Sequence, residues 1–392
     1  MSPPIPAPAE PRPSPGQAAP LEALPSEQRE RIPPERRERI VVAMSGGVDS
    51  SVAAALLHEQ GHEVIGISLR VWSYDGPARC GSCCAPEDVD DARQVCDALG
   101  IPFYVAQAEE LFREKVVLPF VREYHQGRTP IPCVSCNRDI KFDFLLRRAR
   151  ALGAKLATGH YARVDGPEGA RTLRTAVDAA KDQSYFLFSL GQAELCDVRF
   201  PIGHLTKGEV RAHGERLGLC TSNKPESQEI CFVPDNDYAG FVERVGGAAK
   251  PGRIVTADGE VLGEHRGVHR FTVGQRKGLG VSAKLPLYVQ RIDAEHGQVV
   301  VGQERELWSD SVSVFPVSWV AGSAPQGETA VSVKIRNRHQ PAAGRLTATR
   351  DGARVRLDSP ARAITPGQAA VFYQGDVVLG GGFIRSAGQG AD

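Results

Sequence analysis

Two sets of residues in this chain are of types and spacings that could do chemistry: a glycine–serine–aspartate turn and a few scattered thiols. The turn is Ala43-Met44-Ser45-Gly46-Gly47-Val48-Asp49-Ser50, followed by Ser51. Arg39 to Met44 is apolar and β-branched and reads as a buried parallel strand. Ser51 to Gln60 is rich in Ala and Leu and reads as a helix, with Gly61 placed to end it. A strand, a Gly-rich turn and a helix in that order make an anion site. The glycines admit a ligand close to the backbone, and the unsatisfied N–H groups and positive dipole end of the helix face it. Ser45, Ser50 and Ser51 add hydroxyl donors, and the Asp49 oxygens suit Mg2+. The turn holds no Lys, so it is not the phosphate loop that ends in Gly-Lys-Ser/Thr.

Among the nine cysteines, two are placed for reactivity. Cys136 sits just ahead of an expected helix, Asn137 to Leu152, whose dipole and N–H groups would lower a thiol's pKa. Cys231 lies in Ser227-Gln228-Glu229-Ile230-Cys231-Phe232, where polar neighbours point to access by solvent. Cys96, Cys196 and Cys220 fall in amphipathic contexts and read as inert. Cys80, Cys83 and Cys84 share one loop but are one ligand short of a zinc set, so they read as incidental.

The elements that must hold these groups alternate. After the first helix come a strand (His62 to Trp72), a helix (Glu87 to Leu99), a strand (Pro102 to Val105) and a helix (Leu111 to Gln126). A strand at Lys155 to Thr158 precedes Gly159-His160-Tyr161, and a helix capped by Thr206 closes the series. Repeated βα units imply a doubly wound parallel α/β sheet with ligands at the carboxyl ends of its strands, where the anion turn, Leu69 and Gly159 all fall. From Leu287 onward short strands follow one another without helices, which implies a small antiparallel β-barrel.

Length and composition bound the rest. A chain of 392 residues with 41% apolar content can build two or three domains. Lys plus Arg equals Asp plus Glu at 47 each, so nucleic-acid binding would need a local basic face. Lys334, Arg336, Arg338 and His339 offer one. No apolar run is long enough to span a bilayer and no signal-peptide core is present, so the expected location is cytoplasmic, with no membrane partner. In that compartment the cysteines favour catalysis or metal binding over structural disulfides. The expected division is a disordered Pro-rich tail (1–36), an α/β catalytic domain (37–222), a central domain carrying a mobile Cys231 loop (223–286) and the barrel (287–386).

The motifs taken together resemble one family. Ser-Gly-Gly-Val-Asp-Ser, Pro132-Cys133-Val134-Ser135-Cys136-Asn137-Arg138-Asp139, Ala157-Thr158-Gly159-His160-Tyr161, Lys181-Asp182-Gln183-Ser184, Ser-Gln-Glu-Ile-Cys231-Phe, Phe271-Thr272-Val273-Gly274-Gln275-Arg276 and Thr365-Pro366-Gly367-Gln368 occur in the order found in bacterial tRNA-specific 2-thiouridylases. The first motif alone is shared with many ATP pyrophosphatases of the PP-loop type. The resemblance implies adenylation of the C2 oxygen of a wobble uridine in tRNA, followed by its replacement with sulfur. It implies ATP at residues 43 to 50, Leu69 and Gly159, with Mg2+. It gives Cys136 as nucleophile and Cys231 as the persulfide carrier, supplied by a cysteine desulfurase or sulfur-relay protein. Two routes stay open: Cys136 releases sulfide from the Cys231 persulfide, leaving a disulfide, or the persulfide attacks C2 and Cys136 resolves it. tRNA contacts would fall on Ile131, Pro132, Cys133, His160, Lys181, Asp182, Gln183, Arg336, Asn337 and Gln368.

The chain departs from the family at two places. Ile131 stands where many members have Asn, and Cys133 where a subset has Asp. Cys133, Cys136 and Cys231 could therefore hold a [4Fe–4S] cluster with one open iron, a different source of sulfur chemistry. The sequence also admits a different ATP-pyrophosphatase ligase, which needs neither Cys136 nor Cys231, and a non-catalytic RNA-binding protein.

Overall fold

A computed structural model describes residues 36–72, 86–225, 230–233 and 235–388. The expected tail up to residue 35, Cys80, Cys83 and Cys84, and Ser227 to Glu229 lie outside the described residues.

The first sheet is parallel and five-stranded. Its members are β1 (Arg39–Met44), β2 (Glu63–Arg70), β3 (Phe103–Gln107), β4 (Lys155–Thr158) and, after a hairpin of β5 (Ala162–Asp165) and β6 (Thr172–Thr175), β7 (Val198–Arg199). The order is β3-β2-β1-β4-β7. β1 is central and covered on both faces, which is why its sequence is a continuous apolar run. Val41 joins a core with Phe142, Leu145 and Leu156, while Ile40 and Val42 join the opposite core with Val52 and Ala157. The two-residue period of the strand thus divides one apolar run between two layers.

A second sheet of four strands follows: β8 (Gly252–Thr256), β9 (Val261–His265), β10 (Tyr288–Asp293) and β11 (Gln298–Gly302), in the order β10-β11-β8-β9. The strands at Tyr288 and Gln298, expected to open the barrel, belong instead to this sheet. β11 runs parallel to β8, with Val299 opposite Ile254, and that non-local pairing captures the β10–β11 hairpin.

The barrel is made of β12 (Trp308–Trp319), β13 (Glu328–Lys334), β14 (Ala342–Ala348), β15 (Ala353–Arg362), β16 (Ala369–Gln374) and β17 (Val377–Gly388). Its order is β12-β15-β14-β13-β16-β17, closed by β12–β17 pairing. The β5–β6 hairpin adds to its edge, with Val377 opposite Arg174. Val371, Tyr373 and Val378 of the barrel are buried in the same core as Val41 and Leu156 of the α/β sheet.

The helix expected from Asn137 begins earlier. Pro132–Ser135 forms an α-helical turn, Cys136–Leu145 continues with the wider π pitch, and Leu146–Ala151 returns to α. Pro132 occupies the first turn, where its missing N–H costs nothing and its fixed φ suits the helix. Cys136 therefore lies one turn inside the helix, and Cys133 is the thiol in the first turn.

Candidate active site

The anion turn leaves β1 at Met44 and enters helix α1 (Val48–Glu59) with Gly47 at the N-cap. Glycine has no side chain with which to cap, so the first amides of α1 are left for a ligand. Gly46 has φ +70°, and a Cβ there would lie 2.2 Å from the Asp88 carbonyl oxygen. A serine network fixes the turn. Ser45 N donates to Ser50 Oγ at 3.1 Å, and the Ser50 and Ser51 hydroxyls donate to Gly47 O at 3.1 and 2.9 Å. Gly159, at the end of β4, abuts α1: a Cβ there would sit 2.7 Å from Asp49 C and Ser50 N.

Two donors converge on Asp49 Oδ1. Tyr161 Oη donates at 2.8 Å and Lys207 Nζ at 2.7 Å. Neither residue follows from the turn's own sequence. Tyr161 ends the Ala-Thr-Gly-His-Tyr motif, and Lys207 follows the cap residue Thr206. His160 is turned inward and is only 8% exposed. Its Nδ1 lies 2.6 Å from Thr158 Oγ1 and its Nε2 lies 3.5 Å from Lys141 Nζ. An ammonium can only donate, so Nε2 is the acceptor and Nδ1 carries the proton toward Thr158. Burial, and secondarily the Lys141 charge, hold His160 well below the ordinary histidine value of 6.5.

The two thiols that lie far apart in sequence share one apolar cluster. Cys136 and Cys231 are both half-buried, and both pack against the group that contains Val71, Phe112, Phe120, Ile140 and Phe232. Phe232 makes edge contacts with Phe112 and Phe120 at 5.7 and 5.1 Å between centroids. Cys231 is therefore seated against the α/β domain beside its own buried neighbour. Leu69, at the end of β2, packs against both this cluster and the main core. Cys133 is exposed. Among the described residues no group of three His, Cys, Asp or Glu side chains is arranged to hold a metal ion. Cys133 is exposed at the first turn of the helix, whereas Cys136 and Cys231 are half-buried against the apolar cluster.

Comparison with known proteins identifies the family. Residues 38–235 match the tRNA methyl transferase HUP domain, residues 239–303 the tRNA methyl transferase PRC-barrel domain, and residues 309–384 the aminomethyltransferase β-barrel domain. The chain is 52% identical over 360 residues to a tRNA-specific 2-thiouridylase MnmA of Geobacter metallireducens, covering 90% of this chain and 98% of that one. It is also 52% identical over 362 residues to the MnmA of Rhodospirillum centenum, covering 89% and 92%. The chain belongs to the tRNA-specific 2-thiouridylase (MnmA) family. A solved 4-thiouridine synthetase–RNA complex with bound ATP is similar over 51% of this chain and 46% of its own, at 17% identity and a TM-score of 0.33, which carries no functional weight.

Within this MnmA-family chain the residues expected at the RNA fall into two groups. Ile131, Pro132 and Cys133 form the entry to the Cys136 helix, with Cys133 exposed and Pro132 buried. The others make internal bonds. Asp182 accepts from Ala176 N and Ser184 N at 3.1 and 3.2 Å, and Gln183 Oε1 accepts from Tyr161 N at 3.0 Å. Lys181 precedes them in the same turn, half-buried. The expected basic strand is only partly a surface. Lys334 Nζ reaches Asp182 at 3.8 Å, and Arg336 donates to Ala363 O and to Thr365 Oγ1. Asn337 is half-buried and Arg338 is exposed. Gln368 Nε2 donates to Thr129 O at 3.1 Å, and Thr129 N donates to Pro366 O at 2.9 Å. The Thr365–Gln368 segment of the barrel therefore grips the strand of chain that leads into Pro132 and the thiol helix.

Proposed function

We propose that this protein replaces the C2 oxygen of the wobble uridine of tRNA with sulfur, at the expense of ATP. The observation that carries the reading is that two remote thiols, Cys136 and Cys231, share one apolar cluster in a chain that also presents an anion turn at α1. ATP fits the turn: Gly46 and Gly47 admit its phosphates, the first amides of α1 face them, and Ser45 and Ser50 offer hydroxyls. Mg2+ would be held by the Asp49 carboxylate, and when bound it supplies charge neutralisation for a phosphate leaving group. The uridine O2 attacks the α-phosphorus, the bond to the β-phosphate oxygen breaks, and pyrophosphate leaves. The terminal sulfur of a Cys231 persulfide then attacks C2. The Cys136 thiolate attacks Cys231 Sγ and breaks the S–S bond, which leaves sulfur on C2. AMP departs with the original oxygen. A Cys136–Cys231 disulfide remains, and an external dithiol reduces it before the next cycle. The persulfide sulfur comes from a protein donor, a cysteine desulfurase or relay protein. For the target base to reach the thiols it must leave its stack. Cys133, exposed at the helix entry, stands next to that base in this reading.

The test is mass analysis of tRNA nucleosides after incubation of the protein with unmodified tRNA, ATP, Mg2+ and a persulfide donor. The expected product is 2-thiouridine from wild type, and none from Cys136→Ser or Cys231→Ser. Full thiolation by either variant would remove that thiol from the mechanism, and no 2-thiouridine from wild type would return the reading to a ligase that needs no cysteine.

A further inference from the structure

The turn that receives the phosphates contains no basic residue, yet a triphosphate brings about four negative charges to it. The structure supplies a cation from 158 residues away. Lys207 Nζ lies 2.7 Å from Asp49 Oδ1, and the lysine side chain is only 11% exposed. Its ammonium also lies 5.8 Å from the centre of the Tyr161 ring, the same residue whose hydroxyl donates to Asp49.

The backbone that presents Lys207 is fixed at several points. Thr206 and Glu209 cap the helix Lys207–Arg216 reciprocally, with Glu209 Oε2 accepting from Thr206 N at 2.7 Å. Lys207 N donates to Asp178 Oδ2 at 2.9 Å. The same helix presses on α1: a Cβ on Gly214 would meet Val48 Cγ2 at 3.3 Å. The helix that carries the lysine and the helix that carries the turn are therefore packed together.

We propose that Lys207 is the phosphate-binding cation of the nucleotide site, held on Asp49 until ATP arrives. This inference rests on the reading of the Ser45–Ser51 turn as an ATP site. A lysine largely withdrawn from water and paired with a carboxylate that stays 31% exposed is a poor source of stability, because the lysine's loss of hydration and solvent screening offset most of the attraction. The pair is better explained by exchange. The flexible lysine stem turns its ammonium from Asp49 to a β- or γ-phosphate oxygen. Asp49 gives up one cation and is left to hold another, the metal that accompanies the nucleotide. Asp49 faces a cation at each stage, and pyrophosphate is stabilised as it leaves.

AMP separates this role from a structural one, because it lacks the β- and γ-phosphates. The full-length protein and its Lys207→Met and Lys207→Arg variants are titrated with ATP and with AMP by calorimetry in the presence of Mg2+. Lys207→Met should weaken ATP by about 10- to 100-fold, the size expected for one charge-assisted hydrogen bond, and leave AMP within about twofold. Lys207→Arg should recover part of the ATP affinity. ATP binding unchanged in Lys207→Met overturns the proposal. So does an equal loss of ATP and AMP with no recovery in Lys207→Arg, which would make Lys207 a support of the pocket. Wild-type protein that binds neither nucleotide fails the underlying reading of the turn, and the assignment of Lys207 falls with it.

Discussion

A histidine enclosed beside an ammonium cannot readily hold a second proton, and His160 is in that position, with Lys141 Nζ 3.5 Å from its Nε2. Burial is the larger cause and the Lys141 charge the smaller. The unfolded chain releases its histidine protons near 6.5, whereas folded His160 stays neutral well below that. A group whose folded pKa is depressed contributes stability that is complete above the unfolded value and is lost as pH falls beneath it. His265 and His269 are lowered for the same first reason, desolvation, and add to the effect. Each such site contributes up to about 1.4 kcal/mol per pH unit to the slope. The urea midpoint should therefore fall steadily from pH 6.5 to 5, and His160→Gln should flatten that fall by about one proton's worth. An identical slope in the variant would mean that His160 takes up its proton in the folded state. At this scale the structure also redistributes roles. Asp182 and Gln183 hold the backbone near Tyr161 and Ala176, so they act on the site by shaping it.

At the scale of elements, the decisive contact is the grip of Thr365–Gln368 on Thr129. Gly367 has φ +90°, and a Cβ on it would lie 2.9 Å from Thr129 O and 3.0 Å from Thr129 N. Gly367→Ala combines left-handed backbone strain of about 1–2 kcal/mol with displacement of the chain entering Pro132. Its melting temperature should drop modestly, while thiolation turnover should fall further than that loss of stability explains. Turnover equal to wild type in the folded variant would show that the grip does not position the thiol helix. These elements also mark where local sequence signals reach. The β1–turn–α1 unit was legible because strand, glycines and helix carry their own patterns, and Thr206 announced its helix as a cap residue. The early start of the thiol helix was signalled by Pro132, which favours a first helical turn. The β8–β11 pairing and the Lys207–Asp49 pair left no local trace, because each is made by residues far apart in the chain. The proposed sulfur transfer needs Cys136 and Cys231 to meet, but where they do so depends on the cluster around Phe232, which only the folded chain assembles.

On the scale of the whole molecule, the barrel shares the core of the α/β sheet as well as having one of its own. Ala369, Val371, Tyr373 and Val378 are buried with Leu173, Tyr185, Leu187 and Phe188 of the α/β region. Tyr185 Oη donates to Ala369 O at 2.9 Å, and Ser184 Oγ lies 3.3 Å from Tyr373 Oη. At the rim, Asp376 accepts from Arg163 and Arg174 of the β5–β6 hairpin at 2.8 and 2.6 Å. These ions are partly exposed, so the apolar contact dominates the coupling. Each large side chain uncovered by removing the barrel forfeits roughly 1.5–3 kcal/mol, and several are uncovered at once. A chain ended after Gly302 keeps every strand of the first two sheets. It should nevertheless aggregate or bind hydrophobic dye, because Tyr185, Leu187 and Phe188 would face water. Asp376→Ala in the full chain should shift the melting temperature only slightly, since it leaves that apolar contact intact. The measurement is thermal unfolding with dye binding on both proteins. A truncated chain that stays monomeric and melts cooperatively where the full-length protein does would show that the two cores are independent, and that the barrel reaches the thiol helix only through the Thr365–Gln368 grip.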